Sequence, residues 1–162
     1  EIVLEAINKS NGYVLKYASF DLKNDREFVL EAVKSDGYAL KYALGELKAD
    51  REIVLEAINS NSYAFEYANE NLKSDREMVL TAVSLAGMVL KKVSYELQAD
   101  REIVLAAVKQ DGSALDYASK ALQADREIVF AAVKSCSYAL DYASEELQND
   151  QELIEIRNAH KY

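Results

Sequence analysis

The tripeptide Asp-Arg-Glu followed by a short apolar run recurs as Asp25-Arg26-Glu27, Asp50-Arg51-Glu52, Asp75-Arg76-Glu77, Asp100-Arg101-Glu102 and Asp125-Arg126-Glu127, always 25 residues apart. A fixed short period constrains the fold more than composition can. A unit of that length cannot bury its own apolar face and must stack against copies of itself. The expected architecture is all-α: an α-solenoid of about six 25-residue helical hairpins plus a C-terminal capping helix, forming a single helical repeat domain over residues 1–162.

Within the unit, residues 26–34 read as a first helix. On a helical wheel Phe28, Val29, Leu30, Ala32 and Val33 cover a wide arc, and Glu27, Glu31 and Lys34 share a narrow polar one. So wide an apolar arc predicts burial on more than one side. Asp25 suits the N-cap, and Glu27 suits the positive end of the helix dipole. Arg26 does not, because a cation in the first turn opposes that dipole. Its recurrence predicts an acidic partner in an adjacent copy, so Asp25, Arg26, Asp50, Arg51, Asp75, Arg76, Asp100, Arg101, Asp125 and Arg126 are expected to form a structural ladder of caps and ion pairs. The alternative is an acidic rail that binds a ligand.

The link after the first helix ends in Gly12, Gly37, Ser62, Gly87, Gly112 and Ser137. Serine is a poor substitute for a left-handed glycine, so this position is read as the N-cap of a second helix. That helix, Tyr38 to about Lys48, is expected to turn Ala39, Leu40, Ala43 and Leu47 inward and Lys41, Leu44, Gly45 and Lys48 toward solvent. The first copy carries one extra residue in its link. A final helix from Gln151 to about His160 has Glu155 and Arg157 at slots that are usually apolar, as a capping element requires. The absence of proline fits a nearly all-helical chain.

Charge narrows the partners. The chain has 28 acidic and 19 basic residues, a formal charge of −9, divided as 15 against 10 in residues 1–81 and 13 against 9 in the rest. Such a surface repels phosphate backbones and anionic membranes, so neither nucleic acid nor membrane is an expected partner. Cys136 is the single cysteine, and a free thiol suits a reducing compartment such as the cytoplasm. No apolar run approaches the ~20 residues of a membrane span, and Glu1 opens partway into a repeat, as in a fragment of a longer protein.

In a repeat array the functional unit is a row of equivalent positions. The tyrosine row comprises Tyr13 and Tyr17, Tyr38 and Tyr42, Tyr63 and Tyr67, Tyr117, and Tyr138 and Tyr142. Pairs four apart share a helix face at the margin of the core. The row serves either as packing between repeats or as an aromatic groove for a peptide or partner helix. Three further rows change along the chain. They are Glu5, Glu31, Glu56, Thr81, Ala106 and Ala131; then Lys16, Lys41, Glu66, Lys91, Asp116 and Asp141; then Lys23, Lys48, Lys73, Gln98, Gln123 and Gln148. They would orient a partner, or they reflect drift at solvated sites. In the fourth copy Met88 and Lys92 replace both tyrosines, and Ser113 replaces the first one of the next copy. This leaves a gap beside Lys91 and Lys92, read first as local repacking in which Met88 fills the space and otherwise as a notch for a bulky group such as an acidic side chain of a partner.

Nothing points to catalysis. His160 is the only histidine, Cys136 has no matched base, and glycine-rich nucleotide motifs and Cys/His metal spacings are absent from the sequence. No cofactor or metal is expected.

The recurring text, best seen at residues 101–122, resembles the repeat family catalogued as domain of unknown function 4116, over nearly all of the chain. Copies four and five depart from it at the tyrosines. Such repeats occur in protists, algae, large DNA viruses and proteins that intracellular bacteria inject into host cells. The resemblance therefore implies part of a larger host-interacting protein, acting in host cytoplasm if injected, and it transfers no active site. The expected function is a protein–protein interaction scaffold; the alternative is a passive spacer that positions a separate catalytic domain. Oligomeric state is left open, with end-to-end or face contacts between stacks as the available routes.

Overall fold

The computed structural model describes residues 14–159. Expectations that fall on Glu5, Gly12, Tyr13, His160 and the first copy's inserted link residue lie outside the described residues. Among the described residues every regular element is helical, and the fold is an all-α repeat. Contacts group the chain into two compact units, residues 1–78 and 79–162. The 25-residue period runs through that division unbroken.

The long helices are α1 (Arg26–Ser35), α2 (Arg51–Ser60), α3 (Arg76–Leu85, which the division crosses), α4 (Arg101–Gln110), α5 (Arg126–Ser135) and α6 (Gln151–Ala159). Each begins where the aspartate places it. Asp25 accepts from the Phe28 amide at 2.8 Å, and Asp125 accepts from the amides of Glu127 and Ile128 at 3.0 and 3.2 Å. In α1 the buried residues are Phe28, Val29, Ala32 and Val33, two adjacent pairs four apart. That spacing buries both flanks, as the wide apolar arc requires. In the first unit α1 packs on α2; in the second, α4 packs on α5 and α5 on α6. Helix α6 buries Leu153, leaves Glu155 exposed, and directs Arg157 to Asp141 at 3.0 Å.

The second arm is not one α-helix. It opens as a six-residue 3₁₀ helix, Gly37–Tyr42 and Ser62–Tyr67 in the first unit, and Gly87–Lys92, Gly112–Tyr117 and Ser137–Tyr142 in the second. Each segment stops at an extended residue, such as Ala43 (φ −64°, ψ 153°), before a short helical turn. The break frees the next amide to reach backward into the preceding copy. Leu44 N donates to Lys23 O at 3.1 Å and Asn69 N to Lys48 O at 2.9 Å. In the second unit Ser119 N donates to Gln98 O at 2.9 Å and Ser144 N to Gln123 O at 2.8 Å. An uninterrupted α-helix would use those amides internally.

The 3₁₀ helix is capped one residue earlier than the sequence suggested. Asp36, Asn61 and Asp111 are the caps, accepting from the amides of Tyr38, Tyr63 and Ser113 at 2.9, 3.1 and 2.9 Å. Glycine follows Asp36 and Asp111, where the next copy's long helix lies close against it. A Cβ on Gly37 would stand 2.0 Å from Ala57 O, and one on Gly112 would stand 2.2 Å from Ala132 O. At Gly37 and Gly112 closeness, rather than a left-handed φ, leaves no room for a Cβ without a shift of the neighbouring helix; Ser62 and Ser137 hold the equivalent place in the other copies. The Gly37 and Gly112 amides donate to Ser60 and Ser135 Oγ at 3.0 and 3.1 Å.

Candidate functional site

The aspartate–arginine ladder pairs neighbouring copies within each unit. Arg26 Nε reaches Asp50 at 2.8 Å and Arg51 reaches Asp75 at 3.1 Å. In the second unit Arg101 Nε reaches Asp125 at 3.0 Å and Arg126 Nε reaches Asp150 at 3.3 Å. The same guanidinium groups also hold Glu52, Glu127 and Glu152. Within each unit these groups therefore satisfy one another, which is a structural arrangement.

The tyrosine row divides by environment. In the first unit Tyr38 meets Tyr67 edge to face at 5.3 Å between centroids and Tyr42 at 6.1 Å. Lys41 Nζ donates to the Tyr38 hydroxyl at 2.8 Å and sits 5.6 Å from the Tyr67 ring centroid. The Lys41 hydrogen bond holds the Tyr38 phenol below its ordinary value. Tyr67 is pushed upward, first by its hydrogen bond to Tyr38 and then by burial. These rings are packing between copies. Tyr17, Tyr63 and Tyr138 are instead 76%, 64% and 68% exposed, and Tyr142 sits at the edge of exposure.

At the fourth copy, Lys91 lies 5.4 Å from the Tyr117 ring centroid, repeating the contact of Lys41 with Tyr67. Lys91 therefore covers the ring beside the expected notch, while half-buried Met88 stands where Tyr38 stands in its own copy. Lys92 is exposed. Ser113 Oγ contacts Cys136 Sγ at 3.7 Å.

The Lys/Gln row is not simply solvated. Lys48 Nζ donates to Lys41 O at 2.9 Å, and burial lowers its pKa. Gln98 Nε2 donates to Leu90 O at 3.1 Å, Gln123 Nε2 to Leu115 O and Asp116 O at 3.0 and 3.2 Å, and Gln148 Nε2 to Ala143 O at 2.9 Å. Lys73 pairs with Glu70 at 2.9 Å, whereas Lys48, Gln98, Gln123 and Gln148 supply N–H donors to carbonyls at or just past the end of a 3₁₀ helix, of which Leu115 O also accepts from Ala118 N. Lysine and glutamine both do this.

The first-helix face differs between the units. In the first, Lys34 pairs with Glu31 at 2.9 Å, and Glu56 takes the equivalent place on α2. In the second, Ala106 and Ala131 stand where those glutamates were, and a groove of about 520 Å³ opens between α4 and α5. Leu105, Phe130 and Ala131 give it apolar walls, with Lys109, Lys134, Ser135 and Glu127 around them. Lys134 Nζ lies 5.5 Å from the Phe130 ring centroid. A separate polar hollow of about 460 Å³ in the same unit is lined by Asp116, Lys120, Asp141 and Tyr142 among others.

Residues 1–48, 25–73, 50–95, 75–123 and 125–156 each match the family described as Domain of unknown function (DUF4116). The chain belongs to the DUF4116 family. Three consecutive DUF4116 matches begin 25 residues apart and each spans about two copies, so the family's recognisable unit is a copy together with its neighbour. The geometry agrees, since ladder and backbone bonds join residues one copy apart. No curated protein and no solved structure matches the chain.

Two features of this DUF4116 chain escape a single-copy wheel. The α4–α5 groove is composed of residues from neighbouring helices, and its one sequence signal is the loss of the glutamate three places before lysine. The Lys/Gln row looks solvated until the 3₁₀ break brings the carbonyls beside it. Among the described residues, no group of three or more His, Cys, Asp and Glu side chains is placed to hold a metal ion, and no helix is long and apolar enough to cross a membrane.

Proposed function

We propose that the chain is a protein–protein interaction scaffold whose 3₁₀ arms offer aromatic contacts to a partner protein. The observation that carries this reading is the exposure of whole phenol rings at the start of the arms: Tyr63 is 64% and Tyr138 68% exposed, each beside a packed copy core. A rigid repeat backbone presents such rings at low entropic cost, and tyrosine is favoured among residues that dominate binding energy. A reducing compartment such as the cytoplasm suits the free, half-buried Cys136.

The reading is tested by affinity capture from cell extract with the chain and with a Tyr63→Ser, Tyr138→Ser variant. Proteins retained by the chain should be lost by the variant while the thermal midpoint stays in place. Equal retention by both would sink the role given to this face.

A further inference from the structure

We infer that the groove between α4 and α5 docks a short acidic segment of another protein, in which a bulky apolar side chain is flanked by carboxylates. This rests on the scaffold reading and assigns it a second, chemically defined contact. The walls are apolar, formed by Leu105, Phe130 and Ala131, and the volume of about 520 Å³ lies within the ~300–1,000 Å³ of small binding clefts. One large side chain fits between the helices.

The charge of the groove sets its selectivity. Lys109 and Lys134 occupy equivalent positions on adjacent helices and both border the cleft. In the first unit the corresponding Lys34 is held by Glu31 three residues earlier; here that position is Ala106 for Lys109 and Ala131 for Lys134. Glu127, the acidic member of the lining, is held by Arg101. Two cations therefore flank an apolar floor, and neither has the glutamate three residues earlier that pairs with Lys34 in the first unit, while Glu127 on α5 is engaged by Arg101. On a chain of net charge −9, this local reversal attracts carboxylates while the surrounding surface repels long polyanions.

The test is fluorescence anisotropy with labelled hexapeptides that carry a central leucine–phenylalanine pair flanked by four Asp/Glu residues or, as control, by their Asn/Gln amides. The acidic peptide should bind at least tenfold more tightly than the amide control at low salt. A Lys109→Gln, Lys134→Gln variant should lose that preference while its circular dichroism is unchanged, since both lysines are exposed. A second variant, Ala106→Glu with Ala131→Glu, restores the first unit's pairing and should weaken binding by a similar factor. Peptide binding that ignores charge, or that survives both variants, would overturn the proposal. So would absence of binding, or preferential binding of a labelled oligonucleotide or anionic vesicles. If the peptides fail while the tyrosine variant still loses captured proteins, the groove proposal falls and the scaffold stands; if both fail, both fall.

Discussion

Arg101 and Asp125 are joined across one repeat by a carboxylate with two duties. Asp125 Oδ2 accepts from Arg101 Nε at 3.0 Å, while Oδ1 accepts from the amides of Glu127 and Ile128 and caps α5. Removing the side chain and removing only its charge should therefore differ. Asp125→Ala loses the cap and the pair, and is expected to cost about 1–2 kcal/mol. Asp125→Asn keeps a capping oxygen and gives up an exposed ion pair, a loss of under ~1 kcal/mol. Urea denaturation followed by circular dichroism measures both, and equal costs would show that the cap contributes nothing.

The ladder carboxylates tie stability to pH in one direction. Burial pushes Asp50 and Asp125 upward, but hydrogen bonds from Arg26 and Arg101 and from helix amides outweigh it and leave both below the ordinary value. The amides of Met78 and Leu153, with Arg51 and Arg126, lower Asp75 and Asp150. Each group binds its proton less tightly folded than unfolded, so its contribution is complete above the unfolded value of about 3.9 and is lost as pH falls through the folded value. The thermal midpoint should be level between about pH 5 and 7 and decline steadily below about 4. A midpoint that stays level through that acid range would uncouple the ladder from folding.

Glycine positions separate by what lies opposite them. Gly112→Ala places a methyl 2.2 Å from Ala132 O, so the 3₁₀ segment must move off α5, at a cost of roughly 1–3 kcal/mol. Gly45→Ala meets nothing within 4 Å and should leave stability unchanged or raise it by up to ~1 kcal/mol through the unfolded chain. Paired denaturation curves decide the matter, and similar losses at both positions would contradict the packing described here.

The tyrosines offer a matching contrast within the first unit. Tyr67→Ala removes the edge-to-face partner of Tyr38 and should destabilise by at least ~1 kcal/mol, whereas the exposed Tyr63→Ala should fall within ~0.5 kcal/mol of the parent. The same contact orders ionisation: on raising pH, the Tyr38 phenol should lose its proton before Tyr67. Ultraviolet difference titration of Tyr38→Phe and Tyr67→Phe variants resolves the two steps. A reversed order would exclude the Lys41–Tyr38 hydrogen bond.

Much of this was legible in the sequence because it depends on local chemistry. The period dictated stacking, Asp25 and its equivalents marked helix starts, and the misfit of Arg26 with the dipole pointed to an acid in the next copy. The break at Ala43 was not legible, because over six residues a 3.0-residue and a 3.6-residue turn bury nearly the same positions. Its trace lies in Ser19, Asn69, Ser94, Ser119 and Ser144, residue types that favour N-caps set one place after the break, of which Ser19, Asn69 and Ser144 accept from a helix amide and Ser94 and Ser119 do not. Leu44 occupies that place in the second copy, where the following turn is 3₁₀ and lacks a side-chain cap.

Gln123 tests the donor row most directly. It is 4% exposed, its amide N–H groups serve the carbonyls of Leu115 and Asp116, and its oxygen accepts from Lys120 Nζ at 2.8 Å. Gln123→Leu preserves bulk but strands the Asp116 carbonyl and leaves Leu115 O with only the Ala118 amide, and should cost about 1–3 kcal/mol. Gln123→Lys restores a donor where Lys48 already makes the same kind of bond to the Lys41 carbonyl, so it should recover most of that loss, less the penalty for burying a charge. Because lysine and glutamine share little beyond an N–H at the end of a flexible stem, recovery by Lys but not Leu would assign the row to backbone capping. Equal losses from both would assign it to packing, leaving the Lys-to-Gln change along the chain without a structural cause.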